Sequence, residues 1–244
     1  MNQRFLTLAL AVSGVAFPCL ANDDDTDHAR CAGLPSTAQL KAFLIAAPGT
    51  GGDAGGLFHG TRMWAATVDR DGRLCAYVTS QTDPTQVWPG SQAIAKSKAY
   101  TANAFSLDTL ALSTARLYTF TQPGHSLWSL GQSNLFDPKF LAPPSGAGGG
   151  NNQIPGGLIF FGGGVGLYKG GKIIGGLGVS GDTSCADHEI AKRVRALAGL
   201  NSTPNNDDIT YSAPDGPSVF THPLCPNTWR NGVFVGEEKP ATGY

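Results

Sequence analysis

The five histidines and five cysteines of this 244-residue sequence are its strongest candidates for chemistry. Three His/Cys pairs stand three residues apart: His28 with Cys31, Cys185 with His188, and His222 with Cys225. Imidazole and thiolate at that spacing can hold zinc when two pairs converge, although no Cys-x-x-Cys accompanies them. No two histidines fall at i and i+4, the spacing that puts two imidazoles on one helical face. His125 differs from the rest because it follows Pro123-Gly124 in a stretch flanked by Tyr118, Phe120, Leu127 and Trp128. A neutral nitrogen donor among flat apolar side chains is what an axial haem ligand requires, so His125 is the candidate metal ligand, set against the plainer reading of an aromatic core cluster.

Two glycine motifs invite enzymatic readings. Gly176-Leu-Gly178-Val-Ser-Gly181 matches the dinucleotide fingerprint and stands between a strand pattern and a helix pattern. A crossover unit then needs a further parallel strand, whereas the chain after Leu200 turns irregular, and no acidic residue occupies the ribose-binding position. The glycines read instead as sites of close strand-to-helix packing. Ser180 in Gly178-Val-Ser180-Gly181-Asp182 nearly forms a nucleophile elbow, but the second glycine falls one place early. Paired-carboxylate catalysis is not indicated either, since the only glutamates are Glu189, Glu237 and Glu238 and most aspartates sit in turn-like contexts.

The charge balance excludes other classes. With 17 Lys+Arg against 18 Asp+Glu, the chain has no basic surplus for a phosphate backbone or an anionic membrane surface. Residues 1–21 combine Arg4, an apolar run from Phe5 to Phe17 and the ending Cys19-Leu-Ala21, the pattern of a cleaved signal peptide. The run is shorter than the ~20 residues that span a bilayer. Export, to the periplasm or beyond, leaves Cys31, Cys75, Cys185 and Cys225, an even number that favours two disulfides over zinc. Three pairings are open, and Cys31–Cys75 with Cys185–Cys225 is the expected one.

The elements that would position these residues follow from periodicity. Pro35-Ser36-Thr37 caps a short amphipathic helix over Ala38 to Ala47, in which Leu40, Phe43 and Leu44 share a face. Trp64 to Val68 and Leu74 to Val78 form a hairpin around Asp71-Gly72. An Ala/Lys-rich helix runs from Gln92 to Phe105 with Ser91 as N-cap, and a second helical piece covers about Thr109 to Tyr118. Gln122 to Pro155 is loop, with a Gly-rich tract over Pro143 to Asn152. Strands at Leu158 to Phe161, Val165 to Tyr168 and Ile173 to Val179 precede a helix capped at Asp182, Thr183 or Ser184 and ending near Leu197. The tail carries short strands at most, at Ile209 to Tyr211 and Val233 to Val235. This order predicts an α+β fold with one antiparallel sheet flanked by helices.

Three segments carry a family resemblance: "GGGVGLYKGGKIIGGLGVSGDTSCADHEIA" from Gly162 to Ala191, "IAKSKAYTANAFS" from Ile94 to Ser106, and "VDRDGRLCAYV" from Val68 to Val78. In this order they resemble the haem-binding (haem-degrading) GlcG/HbpS-like family over about Ala38 to Leu200. The resemblance implies a profilin-like sandwich, assembly into homo-oligomers, and a haem or related tetrapyrrole ligand that some members degrade or sense. The longer middle loop, four cysteines and tail depart from the minimal domain, so residues 22–200 are expected to form the binding domain and 201–244 an irregular extension. Given that ligand, His125 is the expected iron ligand, with the phenols of Tyr118 and Tyr100 as rivals. Phe160, Phe161 and Tyr118 are the expected apolar wall, and Lys96, Lys98 and Arg116 the partners of the propionates. The competing reading is a non-catalytic interaction or sensor module that takes no haem and meets an envelope protein.

Overall fold

The computed structural model describes residues 30–142, 148–149, 153–202 and 207–238. The expected signal peptide and most of the Gly-rich tract lie outside the described residues. The central sheet is antiparallel, in the order β3-β2-β1-β5-β4. Its strands are β1 (Trp64–Asp69), β2 (Leu74–Thr79), the two-residue β3 (Gly148–Gly149), β4 (Gly164–Lys169) and β5 (Lys172–Ser180). Helices α1 (Thr37–Ala46) and α3 (Ser184–Leu197) pack on one face, and α2 (Ser91–Phe105) covers the other. Central β1 is buried along its whole length, because both of its faces are covered. Val165, Leu167, Leu177 and Val179 face α1 and α3, while Trp64, Ala66 and Val68 face Ala95 and Ala99 of α2. The fold is thus the α+β sandwich expected from the element order.

Local chemistry explains the helix ends. Ser36 and Gln39 form a capping box on α1, each satisfying the other's backbone N–H. Thr183 caps α3 by accepting from Ala186 N. α2 begins at Ser91 after Gly90, but Ser91 is buried and makes no cap, contrary to its expected role.

Two expected elements are absent. Instead of a helix from Thr109 to Tyr118, Leu107 and Leu110 bridge each other and short 3-10 turns cover Thr114–Leu117 and Thr119–Thr121. Side chains compete for the backbone here: Ser106 Oγ bonds both the N–H and the carbonyl of Leu112, and Asp108 accepts from Ile173 N. Leu158 to Phe161 joins no sheet, for the same kind of reason given below.

The seat of α2 is a glycine patch. Gly164 pairs with Gly178 and Gly166 with Gly176 across β4 and β5. A Cβ on Gly176 or Gly178 would run into the backbone of Ala99, or of Ala95 and Ala99. Gly176 and Gly178 of the GxGxxG run therefore serve backbone-to-backbone packing. At the edge of this seat Lys98 reaches from α2 to Asp187 of α3, 2.7 Å away, with both side chains buried. Its ammonium also donates to Val179 O at 3.0 Å. Burial pushes the Lys98 ammonium down and the Asp187 carboxyl up from their ordinary values.

Both disulfides are the expected ones. Cys31–Cys75 ties the segment before α1 to β2, and Cys185–Cys225 ties α3 to the tail. The tail forms two small sheets, β6 (Thr210–Tyr211) with β7 (Thr221–His222) in parallel, and β8 (Thr228–Arg230) with β9 (Val233–Gly236) antiparallel. Among the described residues no helix is long and apolar enough to cross a membrane.

Two stability outcomes follow. Gly178→Val costs about 3 kcal/mol in urea unfolding, since the clash is with helix backbone that cannot yield. Lys98→Ala costs about 3–5 kcal/mol by stranding Asp187, and Lys98→Met combined with Asp187→Leu recovers most of that loss.

Candidate functional site

Beside α2 lies an open cleft of about 460 Å³, lined among others by Tyr118, Trp128, Leu135, Leu158, Phe160 and Phe161. One wall is the segment 158–162, which hangs from side chains instead of a sheet neighbour. Ile159 N donates to Thr101 Oγ1 at 3.0 Å, and Thr114 Oγ1 donates to Phe161 O at 2.6 Å. Gly162 N donates to His222 Nε2 at 3.2 Å. Phe160 meets Phe105 edge-on with ring centroids 6.2 Å apart, and the Lys98 ammonium lies 4.8 Å from the centre of the Phe161 ring.

The opposite wall is the loop after the 3-10 turns. Tyr118 O is pinned by the Thr121 hydroxyl and the Gln122 side-chain amide, at 2.8 and 3.0 Å. The Tyr118 ring rests on the His222 imidazole, centroids 5.1 Å apart. Trp128 is 51% and Leu135 78% exposed, so the mouth of the cleft is apolar and open to solvent.

Behind this wall the tail packs a dense polar cluster. His222 donates from Nδ1 to Pro223 O at 2.7 Å, because a carbonyl can only accept. Its Nε2 is therefore the acceptor for Gly162, and the ring is neutral. Burial first, then the charges of His188 and Lys98, hold His222 down at about 4. His188 is wholly buried, and neither ring nitrogen has a hydrogen-bond partner. Its nearest acid, Asp208, stands 3.6 Å off. Burial raises Asp208, but the neighbouring His188 and the Lys192 ammonium at 2.8 Å outweigh it and hold the carboxyl well below the carboxylate range.

The structure gathers some of the sequence-derived site residues and disperses others. Tyr118, Phe160 and Phe161 all line the cleft. His125 is exposed, on the turn joining two cleft-lining stretches, and its side chain is not part of the lining. Tyr100 packs its ring against the β1–β2 turn at Gly72, where a positive φ of 83° requires glycine. Lys98 is committed to Asp187. Lys96 is buried between Gln92 Oε1, Phe140 O and the Tyr77 ring, and burial lowers its pKa to about 8. Arg116 donates to Asp208 O and stacks on Phe220. Sequence reasoning missed His222 as a support for the cleft; its only signal was its spacing from Cys225.

A second cavity of about 480 Å³ includes Thr50, Gly51, Glu189, Lys192, Arg193 and Asn231 in its lining. Its charges already answer one another: Lys192 contacts Glu189, Asp208 and Asn231, and Arg193 binds Glu189 and the carbonyls of Gly52 and Asp53. It offers no flat apolar wall.

The α+β sandwich thus opens an aromatic cleft beside α2, the helix that covers one sheet face by itself. The chain belongs to the family described as haem degrading protein HbpS-like, which it matches over residues 55–196. Among solved structures it is similar to a PduOC:heme complex, at 23% identity over 68% of this chain and 93% of that chain, with a TM-score of 0.48. It is also similar to protein ORFY of Klebsiella pneumoniae, at 22% identity over 67% and 88%, TM-score 0.44. HbpS itself is 18% identical over 67% and 89%, TM-score 0.42. No curated protein matches the chain.

The neutral His222 makes the tail acid-sensitive. Its pKa is about 4 folded against 6.5 unfolded, so the stability present above pH 6.5 is lost as pH falls through 4. The full difference is about 3 kcal/mol. Urea unfolding of wild type and His222→Gln between pH 7 and 4 checks this: the wild type loses more stability on acidification than the variant.

Proposed function

We propose that this chain is an exported haem-binding protein, with the cleft at Tyr118, Trp128, Phe160 and Phe161 as its site. The observation that carries the reading is the lining: three aromatic faces and a phenol around an open, largely apolar slot. Those residues fit a flat apolar macrocycle, and membership of the family points to the same ligand class. Haem held there would supply a Lewis-acidic iron and a wide π surface, and Tyr118, Trp128, Phe160 and Phe161 would hold it by apolar contact.

Tyr118 offers the one phenol oxygen in the lining and His125 an imidazole on the adjoining turn, so these are the two proposed donors to iron. Among the described residues no lysine or arginine lines the cleft, so the propionates would meet Thr121, Gln122, Gln132 and water. Residues 1–21 are proposed as the export leader, 22–200 as the binding domain and 201–244 as an extension. Two disulfides suit an oxidising compartment.

Haem titration of the oxidised protein, followed by visible absorption, tests the reading. Saturable binding at fixed stoichiometry is expected. Tyr118→Phe is expected to weaken it at least ~10-fold, the scale of one lost metal ligand contact, and to alter the spectrum more than His125→Ala does. The reverse order assigns the iron to His125. Absence of any saturable change removes haem and leaves an interaction module; loss of haem absorbance on adding ascorbate adds degradation to binding.

A further inference from the structure

The tail cluster holds a trio that the haem reading does not use. The Sγ atoms of Cys185 and Cys225 and a ring nitrogen of His222 lie within 4.8 Å of one another, all buried. The two sulfurs are bonded to each other, so in the oxidised chain they bind no metal. We propose that reduction of Cys185–Cys225 by a dithiol converts this trio into a thiolate–imidazole site for zinc or a metal of its class.

Each ligand is already prepared. Cys225 Sγ accepts from Cys185 N at 3.2 Å and touches Ser184 Oγ at 3.3 Å, so it sits on the first turn of the 14-residue α3. Backbone N–H groups there stabilise a thiolate. His222 presents Nε2 as its lone-pair nitrogen and donates Nδ1–H to a backbone carbonyl, the second contact that metal-binding imidazoles make. Tetrahedral zinc needs sulfurs ~3.8 Å apart given Zn–S bonds of ~2.3 Å, so the freed thiols must turn apart by side-chain rotation.

A second observation points to a ligand. His188 lies three residues beyond Cys185 on α3, wholly buried, with neither ring nitrogen hydrogen-bonded. Its Nε2 stands 3.6 Å from Asp208 Oδ1, beyond good hydrogen-bond length, so the buried ring is poorly satisfied. His188 stands one helical turn along α3 from Cys185, and the two thiolates of the trio balance the charge of a divalent ion.

The redox step balances. A dithiol gives two electrons and two protons to the disulfide and becomes a disulfide itself, and metal binding then releases the two thiol protons. His222 Nε2 exchanges the Gly162 N–H for the metal.

The test uses the full mature chain carrying Cys31→Ser and Cys75→Ser, so that Cys185 and Cys225 are its only cysteines. Co²⁺ is titrated into the haem-free protein before and after dithiothreitol treatment in the absence of oxygen, with far-UV circular dichroism recorded alongside. The reduced chain is expected to take up one Co²⁺ with thiolate charge-transfer and tetrahedral ligand-field bands, displaced by Zn²⁺. The oxidised chain is expected to show neither band, and His222→Ala is expected to bind at least ~10-fold more weakly. Absence of the bands in the reduced chain overturns the proposal. So do bands unchanged in His222→Ala, or bands seen only once the circular dichroism of the fold is lost. Haem plays no part in this readout, so the proposal and the haem reading fail separately.

Discussion

Backbone-to-backbone contact between α2 and the β4–β5 hairpin governs the rest of the molecule. Gly164, Gly166, Gly176 and Gly178 remove four side chains from one face of the sheet, and Ala95 and Ala99 remove bulk from the helix. The helix then lies low enough for Lys98 to pass its edge and reach Asp187 on the far layer. A buried ion pair of this kind contributes little net stability, since desolvation opposes the attraction. It does set register: one helix position on each layer is tied to the same point, beside Gly163. That fixes where Phe161 stands, because the Lys98 ammonium lies over its ring.

The cleft inherits its shape from this arrangement. The segment 158–162 leads into β4, so it must leave the sheet beside α2 and α3. There it has no strand to pair with; Leu158 N is met by Asn134 O, and Ile159 N, Phe161 O and Gly162 N by the side chains of Thr101, Thr114 and His222. Meeting them with side chains leaves Phe160 and Phe161 free of a pleat and turned toward the loop that carries Tyr118 and Trp128. An aromatic slot results from an unpaired strand, which is why an apolar β-rich run such as Leu158-Ile-Phe-Phe161 serves as a wall.

This also marks what could be read from the residues alone. The hairpins, the three long helices, both disulfides and the sandwich were legible, because periodicity, capping residues and cysteine parity act locally or by simple count. Phe160, Phe161 and Tyr118, expected as an apolar wall, stand together in the lining of one cleft. Lys98 was not legible as an internal ion pair: a lysine on an amphipathic helix looks solvated until its partner 89 residues away is known. Leu158 to Phe161 failed as a strand because tertiary hydrogen bonds from threonines and a histidine displaced the ladder. The helix expected near Thr109 failed because Ser106 and Asp108 captured its backbone groups.

The tail is the least regular part of the sequence, yet the cleft depends on it. His222 supports the Tyr118 ring from behind and accepts the Gly162 N–H, so one imidazole braces both walls. It can do so only while neutral, since a protonated Nε2 would have no lone pair for Gly162. The Cys185–Cys225 bond anchors this imidazole three residues away and links it to the start of α3. Acid, or a change at that disulfide, therefore acts on the cleft through the same side chain. The irregular extension is in this sense part of the site's support: beside the His222 contacts, Thr221 O accepts from the Thr119 hydroxyl at 2.6 Å and Phe220 meets the Phe120 ring edge-on.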